Sequence, residues 1–84
     1  MELDWDPGKS AKIKAERGAS FEELAQTLAE HGPEAQYPGN RLGQELWIIR
    51  HKRQIWVLVL ERRLSLMRIV TAYPSRKWRK KHGT

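Results

Sequence analysis

Eighty-four residues make one domain, and a chain of this size buries only about 60% of the surface it exposes when unfolded. Cysteine is absent, which excludes a disulfide framework, a thiolate metal site and a thiol nucleophile. The net charge of +6 is divided unevenly: residues 1–40 hold four Lys and Arg against eight carboxylates, residues 41–84 hold twelve against two, and a basic half of that density is the footprint of a polyanion binder, nucleic acid before membrane.

The N-terminus is acidic where a secretory signal is basic and then apolar, so no signal peptide is expected and a cytoplasmic protein is the natural reading. Met1, Leu3 and Trp5 alternate with Glu2 and Asp4, the pattern of a short edge strand. Asp6-Pro7 reads as an N-cap followed by proline at the first helical position, and the spacing predicts a helix to about Arg17 with Gly18 as its C-cap. Ser20-Phe-Glu-Glu23 is a capping box. A second helix follows, with Phe21, Leu24, Ala25, Leu28 and Ala29 on one face, and His31-Gly32-Pro33 ends it.

Pro33 to Gly43 reads as a loop, with a tight turn at Tyr37-Pro38-Gly39-Asn40. Then come three candidate strands, Leu46 to Arg50, Gln54 to Leu60 and Leu64 to Tyr73, in a meander with polar turns at His51 to Gln54 and Glu61 to Arg63. Neither turn has Asn-Gly or Gly-x, so the first is expected to be a longer loop. Leu60 to Ile69 is rich in helix formers and has Leu60, Leu64 and Met67 at helical spacing, which keeps a helix open as the alternative there. The central run, Ile55 to Leu60, is six consecutive apolar residues, too short to span a membrane and rich in strand-forming types. Either Ile55, Val57 and Val59 or Trp56, Leu58 and Leu60 would meet the helices. The other triplet needs a cover: the C-terminal segment through Trp78, a second copy, or a partner. Tyr73-Pro-Ser75 breaks the last strand, and the basic segment Ser75 to His82 is expected as a short helix, or else as a solvated tail. The fold class expected is α+β: a small antiparallel sheet, a three-stranded meander with an N-terminal edge strand, two N-terminal helices and a short basic C-terminal helix.

Motifs for metal or cofactor chemistry are missing. His31, His51 and His82 have no ligand spacing, the glycines are single, and no metal or other cofactor is expected. What remains is cationic chemistry. RNA is cleaved without metal when its 2′-hydroxyl attacks the adjacent phosphate, which needs a cation at the phosphate, an acid for the leaving 5′-oxygen and a base. Arg68, Arg76 and Lys77 are the cations placed nearest the end of the sheet, and Glu45, Glu61 or His51 are the open choices for the base. Arg68, inside an otherwise apolar strand, also reads as a salt-bridged edge arginine. The four tryptophans, Trp5, Trp47, Trp56 and Trp78, are able to stack bases but are more ordinary as core residues.

Trp5-Asp-Pro-Gly-Lys9, then Arg17-Gly18 and Ser20-Phe-Glu-Glu23, resemble in order and spacing the opening of the BrnT toxin family, with its Trp-Asp-x-x-Lys segment, Lys-His-Gly or Glu-Arg-Gly turn and Ser-Phe-Glu-Glu helix start. Tyr37-Pro-Gly39 with Arg41, and Tyr73-Pro-Ser-Arg-Lys77, resemble a branch of small toxin-like relatives. The resemblance implies a RelE-like fold and a metal-independent ribonuclease of a type II toxin–antitoxin system. The implied partners are RNA and a ribbon-helix-helix antitoxin of the BrnA type, with a homodimer or a hetero-oligomer with that antitoxin as the assembly and no membrane. Residue by residue, Lys9 matches the lysine of the opening motif, Arg17 stands where many members have histidine, and Arg76 with Lys77 matches the Arg-Lys before the last helix. Arg68 matches a strand arginine once a gap is allowed. The expected catalytic set is Arg68, Arg76, Lys77 and Arg17, with Lys9, Arg41, Arg79 and Lys80 binding RNA. The alternative is a non-catalytic module that binds nucleic acid or protein through the basic C-terminal half.

Overall fold

Two helix starts written into the sequence set the first half of the chain. The structure, a computed structural model, describes residues 2–77. Asp6 accepts the Gly8 amide at 2.9 Å and Pro7 opens helix α1, Pro7–Arg17, which Gly18 closes in the left-handed conformation at φ 96°. Ser20 and Glu23 satisfy each other's backbone amides, at 3.1 and 2.8 Å, and start helix α2, Phe21–His31. The buried Ser10 hydroxyl accepts the Phe21 amide at 2.9 Å, so α1 supplies a partner to the orphan donor at the head of α2. Of the predicted apolar face of α2, Phe21, Leu24 and Leu28 are buried, Ala25 is half-buried and Ala29 is exposed.

The sheet is larger than expected and mixed. Strands β1 (Glu2–Asp4), β2 (Ala35–Pro38), β3 (Gln44–His51), β4 (Gln54–Arg63) and β5 (Leu66–Pro74) lie in the order β1-β5-β4-β3-β2. The N-terminal edge strand is present, but it runs parallel to β5, with Leu3 beside Met67 and Asp4 beside Arg68. The other neighbours are antiparallel. A strand, β2, forms inside the predicted loop: Tyr37 sits opposite Leu46, and Pro38 is tolerated at the end of an edge strand. Leu60 to Ile69 is not a helix. Leu60 is buried on the face that meets α2, and β4 continues to Arg63 before a two-residue turn at Leu64-Ser65. The basic segment enters the description only at Arg76 and Lys77, both helical; the rest of the predicted C-terminal helix, with Trp78, lies outside the described residues.

Both hairpins are tight without glycine. Lys52 (φ 49°) and Arg53 (φ 67°) take the left-handed backbone that a type I′ turn demands at both central positions, so the expected longer loop is a two-residue turn closed by the His51–Gln54 pair. Leu64 does the same at φ 43°. Each is a position where glycine or asparagine would carry less strain.

Trp56, Leu58 and Leu60 are the triplet that meets the helices, together with Trp47, Ile49, Met67, Ile69 and Ala72, and Leu3 and Trp5 pack at its margin. Trp47 and Trp56 are thus core residues, while the half-buried Trp5 packs beside them and its indole donates to Glu22 at 2.9 Å. On the opposite face Ile55 and Val57 bury with Ile48 in a smaller cluster flanked by Ala35, Tyr37 and Leu46, while Val59 is half-buried. The β4–β5 register slips between Val59 and Leu60, which face Thr71 and Ile69, leaving Val70 as the bulged residue. Beyond β1, the outer flank of β5 meets α1 instead of a strand among the described residues: the Arg17 guanidinium donates to the Ala72 carbonyl at 2.7 Å and lies 3.4 Å from the Thr71 hydroxyl.

Candidate functional site

Antiparallel pairing puts the β3–β4 turn and the end of β5 at the same end of the sheet. The Ser75 amide donates to the Ile55 carbonyl at 2.9 Å and fixes the chain after β5 against the start of β4. Lys52, Arg53, Arg76 and Lys77 are therefore four exposed cations at one end. A cleft of about 350 Å³ between Gln54, Ile55, Pro74, Ser75 and Arg76 opens there. A second, of about 520 Å³, opens between α2 and the hairpin, with Thr27, His31, His51 and Lys52 in its lining and Glu22, Glu23 and Glu30 on its helical wall.

His51 lies at the inner wall of this second cleft and is 8% exposed. Its Nδ1 is 2.6 Å from the Thr27 hydroxyl, its ring meets Trp56 edge-on at 6.5 Å, and its Nε2 is buried without a hydrogen-bond partner among the described residues. Burial pushes the imidazole below the ordinary histidine value, and Lys52 and Lys14 push the same way against Glu23. His51 is therefore neutral at pH 7. The Glu23 carboxyl is pulled down to about 2, first by the hydrogen bond from Lys14 at 2.8 Å, then by the Ser20 amide.

Both shifts have the same sign for stability. Each group binds fewer protons folded than unfolded, so each contributes stability that is complete above its ordinary value and lost as pH falls towards its folded value. Thermal unfolding should show the midpoint dropping first below pH 6.5, where His51 of the unfolded chain takes a proton, and again below pH 4.5, where the unfolded chain's Glu23 does. The second step should be small, because the Lys14 and Glu23 side chains are 50% and 33% exposed and solvent screens the pair. Glu23→Gln should shrink the lower step, to which Glu45 also contributes, and His51→Gln should remove the upper; an unchanged profile in both variants would refute the assignment.

The residues expected to act are spread more widely than expected. Arg76 and Lys77 belong to the hairpin end. Arg17 holds Ala72, a little back along β5. Arg68 is at the opposite end of that strand, eight residues before Arg76, or roughly 25 Å at strand rise, and its guanidinium is held by Asp4. Arg68 and Arg76 thus cannot serve one phosphate. Arg41, on the β2–β3 loop, is also at the far end, and Lys9 is exposed on the first turn of α1. Arg79 and Lys80 lie outside the described residues. Of the three candidate bases, Glu61 pairs with Arg63 at 3.0 Å. Glu45 accepts the Trp47 indole at 2.9 Å and Arg62 at 2.7 Å, and these hydrogen bonds, in that order, hold its carboxyl below the ordinary carboxylate value. His51 alone adjoins the cationic end.

Sequence reasoning missed Lys52, Arg53, Thr27 and the meeting of His31 with His51 in one cleft. A signal was available for the first two, since any antiparallel meander returns its last strand to the level of its first turn. Among the described residues no group of three or more His, Asp or Glu side chains is placed to hold a metal ion, and no helix is long and apolar enough to cross a membrane.

No family model matches the chain, and neither a curated protein nor a solved structure does. The likeness to BrnT toxins rests on motif order, and most of those motif residues have construction tasks: Asp6, Pro7, Gly18, Ser20 and Glu23 start and stop helices, and Trp5 pins β1 to α2. Of the motif cations, Arg17 has such a task too, tying α1 to the Ala72 carbonyl of β5.

Proposed function

We propose that this chain is a metal-independent endoribonuclease of the type II toxin class, acting on RNA in the cytoplasm and neutralised by a ribbon-helix-helix partner. The observation that carries the reading is that Lys52, Arg53, Arg76 and Lys77 share one end of the sheet with His51, Lys52 lining the cleft of His51 and His31 and Arg76 lining the neighbouring one. RNA phosphates lie along the four cations, and Arg76 meets the reacting phosphate with its planar fork. The 2′-hydroxyl gives its proton to His51, which requires the cleft to open onto the buried Nε2, the nitrogen that has the lone pair when Nδ1–H is donated to Thr27. The 2′-oxygen bonds to phosphorus, the P–O5′ bond breaks, and the leaving 5′-oxygen takes a proton from the acid, for which His31 in the same cleft is the candidate. The products are a 2′,3′-cyclic phosphate and a 5′-hydroxyl.

The test is incubation with total RNA in EDTA, with end-group analysis. Wild-type protein should leave cyclic phosphate ends, and Arg76→Ala should be about 100-fold slower, the cost of removing one charge-stabilising donor. Intact RNA, or a variant as active as wild type, overturns the reading.

The burial of His51 favours a second reading, in which the same four cations bind nucleic acid without cleaving it. Binding would then be steeply salt-dependent, with RNA recovered whole.

A further inference from the structure

At the opposite end of the sheet two leucines stand in solvent. Leu42, on the β2–β3 loop, is 106% exposed, and Leu64, on the β4–β5 turn, is 105% exposed. The Arg62 amide donates to the Gly43 carbonyl at 2.8 Å, one step beyond the Gln44–Glu61 pair, so the two turns lie side by side. Neither side chain serves the core, and Leu64 also holds its backbone at φ 43°, where leucine is strained. Three arginines flank the pair. Arg41 precedes Leu42, and Arg62 and Arg63 precede Leu64, held outward by Glu45 at 2.7 Å and Glu61 at 3.0 Å with further N–H donors to spare.

Apolar tips between arginines fit a nucleic acid better than a neutral protein groove. Leucine wedges enter between base steps, where they replace stacking with apolar contact, and arginines at either side bond the phosphates of the opened step. We propose that Leu42 and Leu64 form such a wedge, unstacking bases of the bound strand while Arg41, Arg62 and Arg63 hold its backbone. The proposal rests on the nucleic-acid-binding part of the reading above and is independent of cleavage. With cations at the hairpin end and a wedge at the other, the ligand is a strand running the length of the sheet, with a stacked segment that opens at the leucines.

The probe is an RNA hairpin, 2′-O-methylated throughout so that it cannot be cut, with 2-aminopurine in its stem and a terminal dye for anisotropy. Binding of wild-type protein should raise the 2-aminopurine fluorescence. Leu42→Ser and Leu64→Gly should remove that rise and weaken binding by about tenfold, the loss of one base-stacking contact. Leu64→Gly relieves the turn and folds at least as well as wild type, so loss of signal there is not loss of fold. Bound RNA with flat fluorescence overturns the wedge, as does a rise that survives both substitutions. Flat fluorescence with leucine-dependent binding to phosphatidylglycerol vesicles gives the tips to a lipid surface and also overturns it. No binding at all overturns wedge and nucleic-acid reading together, whereas a fluorescence rise beside intact all-ribose RNA removes only the cleavage reading.

Discussion

Leu58→Ala should remove about half or more of the protein's stability. Leu58 is fully buried at the centre of β4, between Trp47 and Ala72 and beneath the two helices. Truncating such a leucine costs about 2–5 kcal/mol, from lost transfer energy and the cavity left behind. A domain of this kind has only about 5–15 kcal/mol in total, and an 84-residue chain belongs near the lower end. Urea unfolding followed by tryptophan fluorescence checks it. A midpoint close to wild type would mean that the β4 core collapses around the gap.

His51→Gln should lower the cleavage rate by about 100-fold or more while leaving RNA binding within a few-fold, the range for loss of a general base. Glutamine keeps a hydrogen-bonding group towards Thr27 and does not titrate. The wild-type rate should therefore fall on the acid side as the imidazole takes a proton, at a pH below the ordinary histidine value, and the variant should lack that limb. A variant with wild-type rate and pH profile would remove His51 from the chemistry and leave the cations as a binding surface.

The helices were legible because their ends are chemical: Asp6-Pro7, Gly18 and Ser20 to Glu23 each satisfy specific backbone groups within a few residues, so local sequence suffices. The central strands were legible from their apolar runs. β2 was not, since Ala35-Gln-Tyr-Pro has little propensity of its own and forms by pairing with β3. The parallel partnership of β1 with β5 joins residues more than sixty positions apart, and no local pattern encodes it. The site suffered from one misread turn. Taking His51 to Gln54 as a longer loop hid the cations at its tip, while reading Arg68 and Arg76 as cations near one end of the sheet joined two residues that strand geometry holds apart. His51 looked scattered because its partner, Thr27, is on a helix 24 residues earlier.

The turn at Lys52-Arg53 also bears on how tightly the cationic end can hold an anion. A charged loop surrenders its freedom when it binds, at about 0.5–1.5 kcal/mol for each side chain immobilised and more for the backbone. Here the backbone share is absent, because two left-handed residues in a closed hairpin have one arrangement before and after the anion arrives. The strain carried by the folded turn is a standing cost to stability. In exchange, an anion bound there would meet two side chains rooted on a backbone already in place, and less of the electrostatic attraction would go into ordering the chain.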